Sequence, residues 1–190
     1  MLDKLKQPPE TPDNEPIRSL GDLIFAAHHA ATLKGWWPVD GRPLAESINN
    51  LHAEISEAWE DYRANKLTKY YETTLSLGSG VQQKPCGFWV EIADAVIRLA
   101  DLCGGEAWCP REEEFDDLKV DLTRLPDVIL ASHERITDLG QMPHKNVVAS
   151  QLFALWFVSA GVADVDLWEL IDEKMKFNRT RPQRHGGKLA

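Results

Sequence analysis

The sequence predicts an all-α protein, a helical bundle with inserted helices. Apolar residues recur at spacings of three and four along most of the 190 residues, and alternating Val/Ile/Thr runs bounded by turns are nearly absent. The gaps between periodic stretches carry residues that start and stop helices. A chain of this length can bury a substantial core as one domain. The expected organisation is a loose tail over 1–18 and a single helical domain over 19–190, with insertions near 66–87 and 106–163.

A first helix starts at Ser19, where Ser-x-x-Asp with Asp22 forms a capping-box pattern, and ends before Gly35. Trp36 and Trp37 follow it. A second helix runs from about Pro43, a residue suited to helix starts, to about Asn65. Gly78, Gly80, Pro85 and Gly87 punctuate residues 66–87, which reads mostly as a loop or insertion. The third helix spans about Phe88 to Cys103 and is stopped by Gly104 and Gly105. After an acidic piece from Arg111 to Arg124 come helical patterns over about Leu125 to Leu139 and Asn146 to Ala160. The last helix runs from about Asp164 to Asn178, followed by a basic tail to Ala190.

The balance of 21 basic against 30 acidic residues, a formal charge of −9, argues against a protein that coats nucleic acid or an anionic membrane. It suits a metal site better, because clustered acids repel one another unless a cation joins them. Cys86, Cys103 and Cys109 are odd in number and contain no Cys-x-x-Cys pair, so neither a disulfide framework nor a zinc site is suggested. The expected location is a reducing cytoplasm. The first sixteen residues carry four prolines and no apolar stretch of the kind a signal peptide needs. The uncharged run from Val147 to Ala163 is broken by Ser150, Gln151, Ser159 and Gly161 and reads as a buried helix rather than a span of about 20 apolar residues.

In the second helix, Ile48, Leu51, Ile55, Ala58 and Tyr62 form an apolar stripe. Asn50, Glu54, Glu57 and Asp61 form a separate strip whose edge, at Glu54, borders it. Taken alone, that strip reads as a solvated acidic face. The third helix adds a second signal. Between Phe88 and Cys103 its charged residues are Glu91, Asp94, Arg98 and Asp101, at spacings of three, four and three, in an otherwise apolar sequence. A helix apolar on nearly every other side is buried, so its narrow polar strip must meet water or a polar site inside the bundle.

Two helices offering carboxylates at i and i+3 place Glu54, Glu57, Glu91 and Asp94 where they can converge across an interhelical groove. Such hard oxygen donors select Mg²⁺, with Mn²⁺ as a possible substitute. A di-iron bundle would need Glu-x-x-His motifs, and none of the six histidines has a Glu three residues before it. On the last helix, Lys174 and Asn178 continue the apolar face of Leu167, Leu170 and Ile171, opposite Glu169, Asp172, Glu173 and Lys176. Lys174 thus points inward or snorkels to the surface. Beyond it, Arg179, Arg181, Arg184, His185 and Lys188 make a locally basic end, either a solvated charge run or a phosphate clamp.

Three segments, LHAEISEAWE over 51–60, FWVEIAD over 88–94, and KMKFNRTRP over 174–182 with HGGK over 185–188, resemble the MazG-like all-α nucleoside triphosphate pyrophosphatases of phages and bacteria. The similarity covers about Ser19 to Lys66, Phe88 to Gly105 and Asp164 to Lys188. It implies a Glu-x-x-Glu and a Glu-x-x-Asp holding Mg²⁺, here Glu54, Glu57, Glu91 and Asp94, and phosphate contacts from Lys174, Asn178 and Arg181. It also implies homo-oligomers, dimers or tetramers. The chain departs from the compact pattern in the 33 residues between Glu57 and Glu91 and in the roughly sixty between the third and last helices.

The reaction implied is attack of water at the α-phosphorus of a nucleoside triphosphate, releasing monophosphate and pyrophosphate, with Glu54 or Glu57 orienting or deprotonating the water. His28, His29, Trp36 and Trp37 are candidates for the base wall; core packing for the tryptophans and a surface position for one histidine account for them at least as well. Two other classes compete: a helical regulator that binds a nucleotide or a partner without turnover, and a structural module whose acidic strips are merely solvated.

Overall fold

The computed structural model describes residues 16–76, 80–111 and 119–182. Arg184, His185, Lys188, most of the N-terminal tail and the acidic stretch 112–118 lie outside the described residues. Among the described residues, six helices and one hairpin follow in the order α1 (Leu20–Leu33), α2 (Leu44–Arg63), β1 (Tyr70–Ser76), β2 (Gly80–Cys86), α3 (Phe88–Gly105), α4 (Leu125–Gln141), α5 (Lys145–Val162) and α6 (Leu167–Thr180). The predominance of helix expected from the three-and-four spacing is what the structure has. The Ser19 side chain accepts from the Asp22 backbone N–H at 3.1 Å and donates to the Asp22 carboxylate at 2.6 Å, so the first cap forms as the sequence suggests. Asp166 caps α6 in the same way, accepting from Glu169 N–H at 3.1 Å.

The central element is α3. Phe88, Ile92, Ala93, Ala95, Val96, Leu99, Ala100 and Cys103 are fully buried along it, and α1, α2 and α6 all pack against it. The core continues into α4, which packs on α2 and α5, and into α5, which also packs on α3 and α6; between α4 and α5 the Trp156 indole N–H donates to Ser132 Oγ at 2.9 Å. By length and mean hydropathy (1.2) α5 could cross a membrane. Here 56% of it is inside the fold, with Leu152, Phe153, Leu155 and Trp156 fully buried, as a core helix requires.

Two expectations need correcting. Residues 66–87 are not mainly loop: β1 and β2 pair antiparallel from Tyr70 opposite Cys86 to Ser76 opposite Gly80. Tyr70, Tyr71, Thr73, Thr74 and Val81 favour strands, and Gly80 takes φ 74° where the hairpin turns. Both faces are largely exposed and polar, so the in-out alternation that signals a strand is missing. The hairpin brings the Pro85 carbonyl to 3.5 Å from Lys174 Nζ and so closes one side of the site described below.

The second correction concerns Gly104 and Gly105, which are the last two residues of α3 rather than lying just beyond it. They are there for contact. A Cβ on Gly104 would stand 2.5 Å from His28 Cβ, and one on Gly105 would overlap the Trp37 indole. Their absent side chains let α1 and the α1–α2 connection lie directly on α3. Gly105→Ala is therefore expected to destabilise the fold by about 1–3 kcal/mol, the usual cost of overpacking, and to shift the tryptophan fluorescence. Urea unfolding curves that coincide with wild type would show that this close approach is dispensable.

Candidate metal centre and adjoining cleft

The polar strip of α3 meets three neighbours in turn. Near its start Glu91 and Asp94 face Lys174 of α6; one turn on, Arg98 reaches Glu54 of α2; and Asp101 meets the segment after α1. The strip thus faces a polar seam between helices, the burial its apolar flanks demand.

Glu54 and Glu91 are each only 4% exposed, whereas Glu57 opens to solvent. Carboxylate oxygens of these three residues lie within 4.8 Å of one another. Asp94 stands apart from that trio: its Oδ2 is 2.8 Å from Lys174 Nζ, and its Oδ1 accepts from Asn178 Nδ2 at 3.5 Å. Lys174, 1% exposed, also stands 3.7 Å from Glu91 Oε2. Arg98 Nε donates to Glu54 Oε1. With all groups ionised, four carboxylates facing two cations leave a surplus of negative charge in a site of low polarisability.

The electrostatics follow from that imbalance. Burial pushes Glu91 up to about 7; Lys174 counteracts this and Asp94 adds to it. Glu54 is also raised, by burial first, with Arg98 pulling the other way and Asp94 and Glu57 pushing further. For Lys174, burial works against the charge, and Asp94 and Glu91 overcome it, so the ammonium is held above its ordinary value. Glu91 Oε2 is buried without a hydrogen-bond partner among the described residues. A buried acceptor left unpaired costs on the order of 1–3 kcal/mol, and a hard divalent cation is a partner its chemistry suits. Glu54, Glu57 and Glu91 could therefore hold a hard metal cation as its oxygen donors.

Beside the carboxylates a cleft of about 660 Å³ opens between α1, α3 and α6. Asp94 and Arg98 form the shared wall. Asn178, Arg179, Arg181 and Lys34 line it, as do Trp36, Arg42 and Asp101, and small residues of α1, including Ala26, Ala27, Ala30 and Ala31, keep it wide. Lys34 reaches across to the C-terminus of α6, donating to the carbonyls of Arg179 at 2.9 Å and of Arg181. Burial lowers Arg181 from the usual arginine range, with Asp94 acting to raise it and Arg98 to lower it.

Those of the residues singled out in the sequence that the structure describes now have a place. Glu54, Glu57 and Glu91 come together; Asp94 is paired with Lys174; Asn178 and Arg181 line the cleft. Lys174 is spent on the carboxylates and is not part of the cleft wall. Of the candidates for a base wall, His29 and Trp36 line the cleft, while Trp37 Nε1 donates to Asp101 Oδ1 at 2.7 Å and His28 Nδ1 lies 3.1 Å from the same oxygen. Arg98, Arg42 and Lys34 were not picked out as site residues. Arg98 could have been, as the one cation in the α3 strip. Arg42 and Lys34 carry no local signal.

Comparison with protein-family models, with curated proteins and with solved structures finds no match to this chain.

Proposed function

We propose that the protein is a divalent-cation-dependent nucleoside triphosphate pyrophosphohydrolase of the MazG-like kind. The observation that carries this reading is the convergence of Glu54, Glu57 and Glu91 within 4.8 Å, linked through Arg98, which donates to Glu54, to a 660 Å³ cleft that Lys34, Arg179 and Arg181 also line. A cleft of that size suits a nucleotide. Asn178, Arg179, Arg181 and Lys34 offer hydrogen-bond donors and positive charge for the phosphates.

The chain's own residues divide the work. Lys174 and Arg98 hold the carboxylates in place and offset part of their repulsion. Glu57, exposed and without Arg98 on its oxygens, is better placed than Glu54 to take a proton from the attacking water. The water oxygen bonds to the α-phosphorus as the bond from that phosphorus to the β-bridging oxygen breaks. Arg181 and Asn178 steady the departing pyrophosphate. When bound, the cation supplies charge neutralisation at the phosphates and polarises water.

Incubating the protein with each nucleoside triphosphate and Mg²⁺ in ¹⁸O-labelled water is expected to yield pyrophosphate and a monophosphate that carries the label. Label in the pyrophosphate would place attack at the β-phosphorus. Tight binding of triphosphates with no product would favour the non-catalytic regulator instead.

A further inference from the structure

Helices α1 and α6 both pack on α3 and line opposite sides of the cleft. At one end the segment before α1 is tied to α6: Arg18 Nη1 lies 2.9 Å from Asp172 Oδ2, and the Ile17 N–H donates to Asp172 Oδ1 at 3.1 Å. At the other end Lys34 reaches across. Its Nζ donates to the carbonyl of Arg179 at 2.9 Å and to that of Arg181.

Both sides of this contact are fixed by local structure. Helix α1 closes in a Schellman motif, with the Trp36 N–H on the Ala31 carbonyl at 3.0 Å, the Gly35 N–H on the Thr32 carbonyl at 2.9 Å, and Gly35 at φ 75°, where glycine is favoured. Lys34 is the residue before that glycine, so its place is set by α1. On the far side Pro182 biases the residue before it toward extended backbone, and Arg181 takes φ −72° and ψ 146°. Helix α6 ends there, and its last carbonyls need partners. Thr180 Oγ1 donates to that of Phe177 at 2.6 Å, the Arg181 N–H to that of Asn178 at 3.2 Å, and Lys34 to that of Arg179. An ammonium at this end also meets the negative pole of the helix.

What the clasp places is a guanidinium. Arg181 lines the cleft, close enough to Asp94, Glu54 and Glu57 for their charges to act on it. An ammonium has three donors, and Lys34 gives backbone bonds to two residues of the α6 end, so its effect on a ligand runs mainly through what it holds.

We infer that Lys34 is the positioning residue for Arg181: it fastens the end of α6 to the end of α1 and so holds the Arg181 guanidinium in the cleft. That Arg181 meets phosphate rests on the reading of the cleft as a nucleotide site; the clasp does not.

The test uses the full chain and has two arms. Without ligand, ¹⁵N relaxation of wild type, Lys34→Met and Lys34→Arg reads the order of the Arg181 backbone N–H and of its Nε–H, the latter assigned by its loss in Arg181→Met. The wild-type amide is expected near the rigid-backbone order parameter of about 0.85 and that of Lys34→Met below about 0.6, with the Nε–H loosened as well and α3 unchanged. Lys34→Arg, which can still donate to both carbonyls, should stay close to wild type. In the second arm inorganic tripolyphosphate with Mg²⁺ is titrated calorimetrically into wild type, Lys34→Met, Arg181→Met and the double variant. Lys34→Met is expected to weaken binding by about tenfold, the scale of one charge-assisted contact, but by less than about twofold where Arg181 is already Met. The same loss in both backgrounds would make Lys34 a phosphate contact in its own right and overturn the inference. Arg181 as ordered in Lys34→Met as in wild type would overturn it too, whether or not triphosphates are hydrolysed. If that order is lost and tripolyphosphate does not bind wild type, the clasp stands and the nucleotide reading falls.

Discussion

Glu54→Gln and Glu91→Gln are each expected to lower turnover by roughly a hundredfold or more, the scale on which removing one preorganised charge acts in an active site, without unfolding the protein. Both residues are 4% exposed, and each amide keeps the shape of the acid it replaces. What is lost is the negative charge that would hold a cation. Glu91 is held up at about 7, so between the ordinary carboxylate range and pH 7 the folded protein binds a proton that the unfolded chain has released. The metal-free fold thus loses stability as pH rises through that window. Glu91→Gln removes this penalty and should raise the metal-free melting temperature at pH 8 relative to wild type, while abolishing any rise on adding Mg²⁺. Glu54 keeps Arg98 as a partner, so Glu54→Gln should gain less. Full activity in both variants, or an Mg²⁺-induced shift in melting temperature that survives in both, would remove these residues from the centre.

How much of this could be read from the sequence depended on whether the signal was local. The helices of the core could, because their stripes repeat every three or four residues, and Ser19 with Asp22 marks a start within four positions. The carboxylates on α2 and α3 could also be found, since a charged strip on an apolar helix stands out without any partner. The hairpin could not: Glu72, Thr73, Gln82 and Gln83 put polar groups on both faces, leaving no alternation to find. Gly104 and Gly105 look like a helix stop because the contact that needs them comes from Trp37 and His28, some seventy residues earlier. Arg42 is invisible for the same reason. Its partners, Asp101 and Trp36, meet it only once α1, α2 and α3 have docked. Pairing is a tertiary property, and so is the division of four acids into a trio and a separate Asp94.

Lys174→Met should be among the most destabilising single substitutions in the chain, because a phosphate-contact role and a structural role predict opposite outcomes and the geometry favours the second. The inward face of α6 is visible in the sequence, where the resemblance implies that Lys174 contacts phosphate. In the structure Nζ lies 2.8 Å from Asp94, 3.7 Å from Glu91 and within reach of the Pro85 carbonyl, with 1% of the residue exposed. Methionine fills most of the volume but leaves two carboxylates without their cation. Breaking a buried pair by removing one partner typically costs about 3–5 kcal/mol. The cost should be greatest well above pH 7, where Glu91 must carry its charge, and smaller near pH 6, where it can take up a proton instead. A divalent cation at the carboxylates would replace part of the lost positive charge, so Mg²⁺ should stabilise the variant more than wild type. Adding Asp94→Asn to Lys174→Met should recover much of the loss, since the uncompensated charge goes with it. Urea unfolding at pH 6 and pH 8, with and without Mg²⁺, reads all of this. Curves for Lys174→Met that superimpose on wild type at both pH values would mean the ammonium is not what holds Glu91 and Asp94 together.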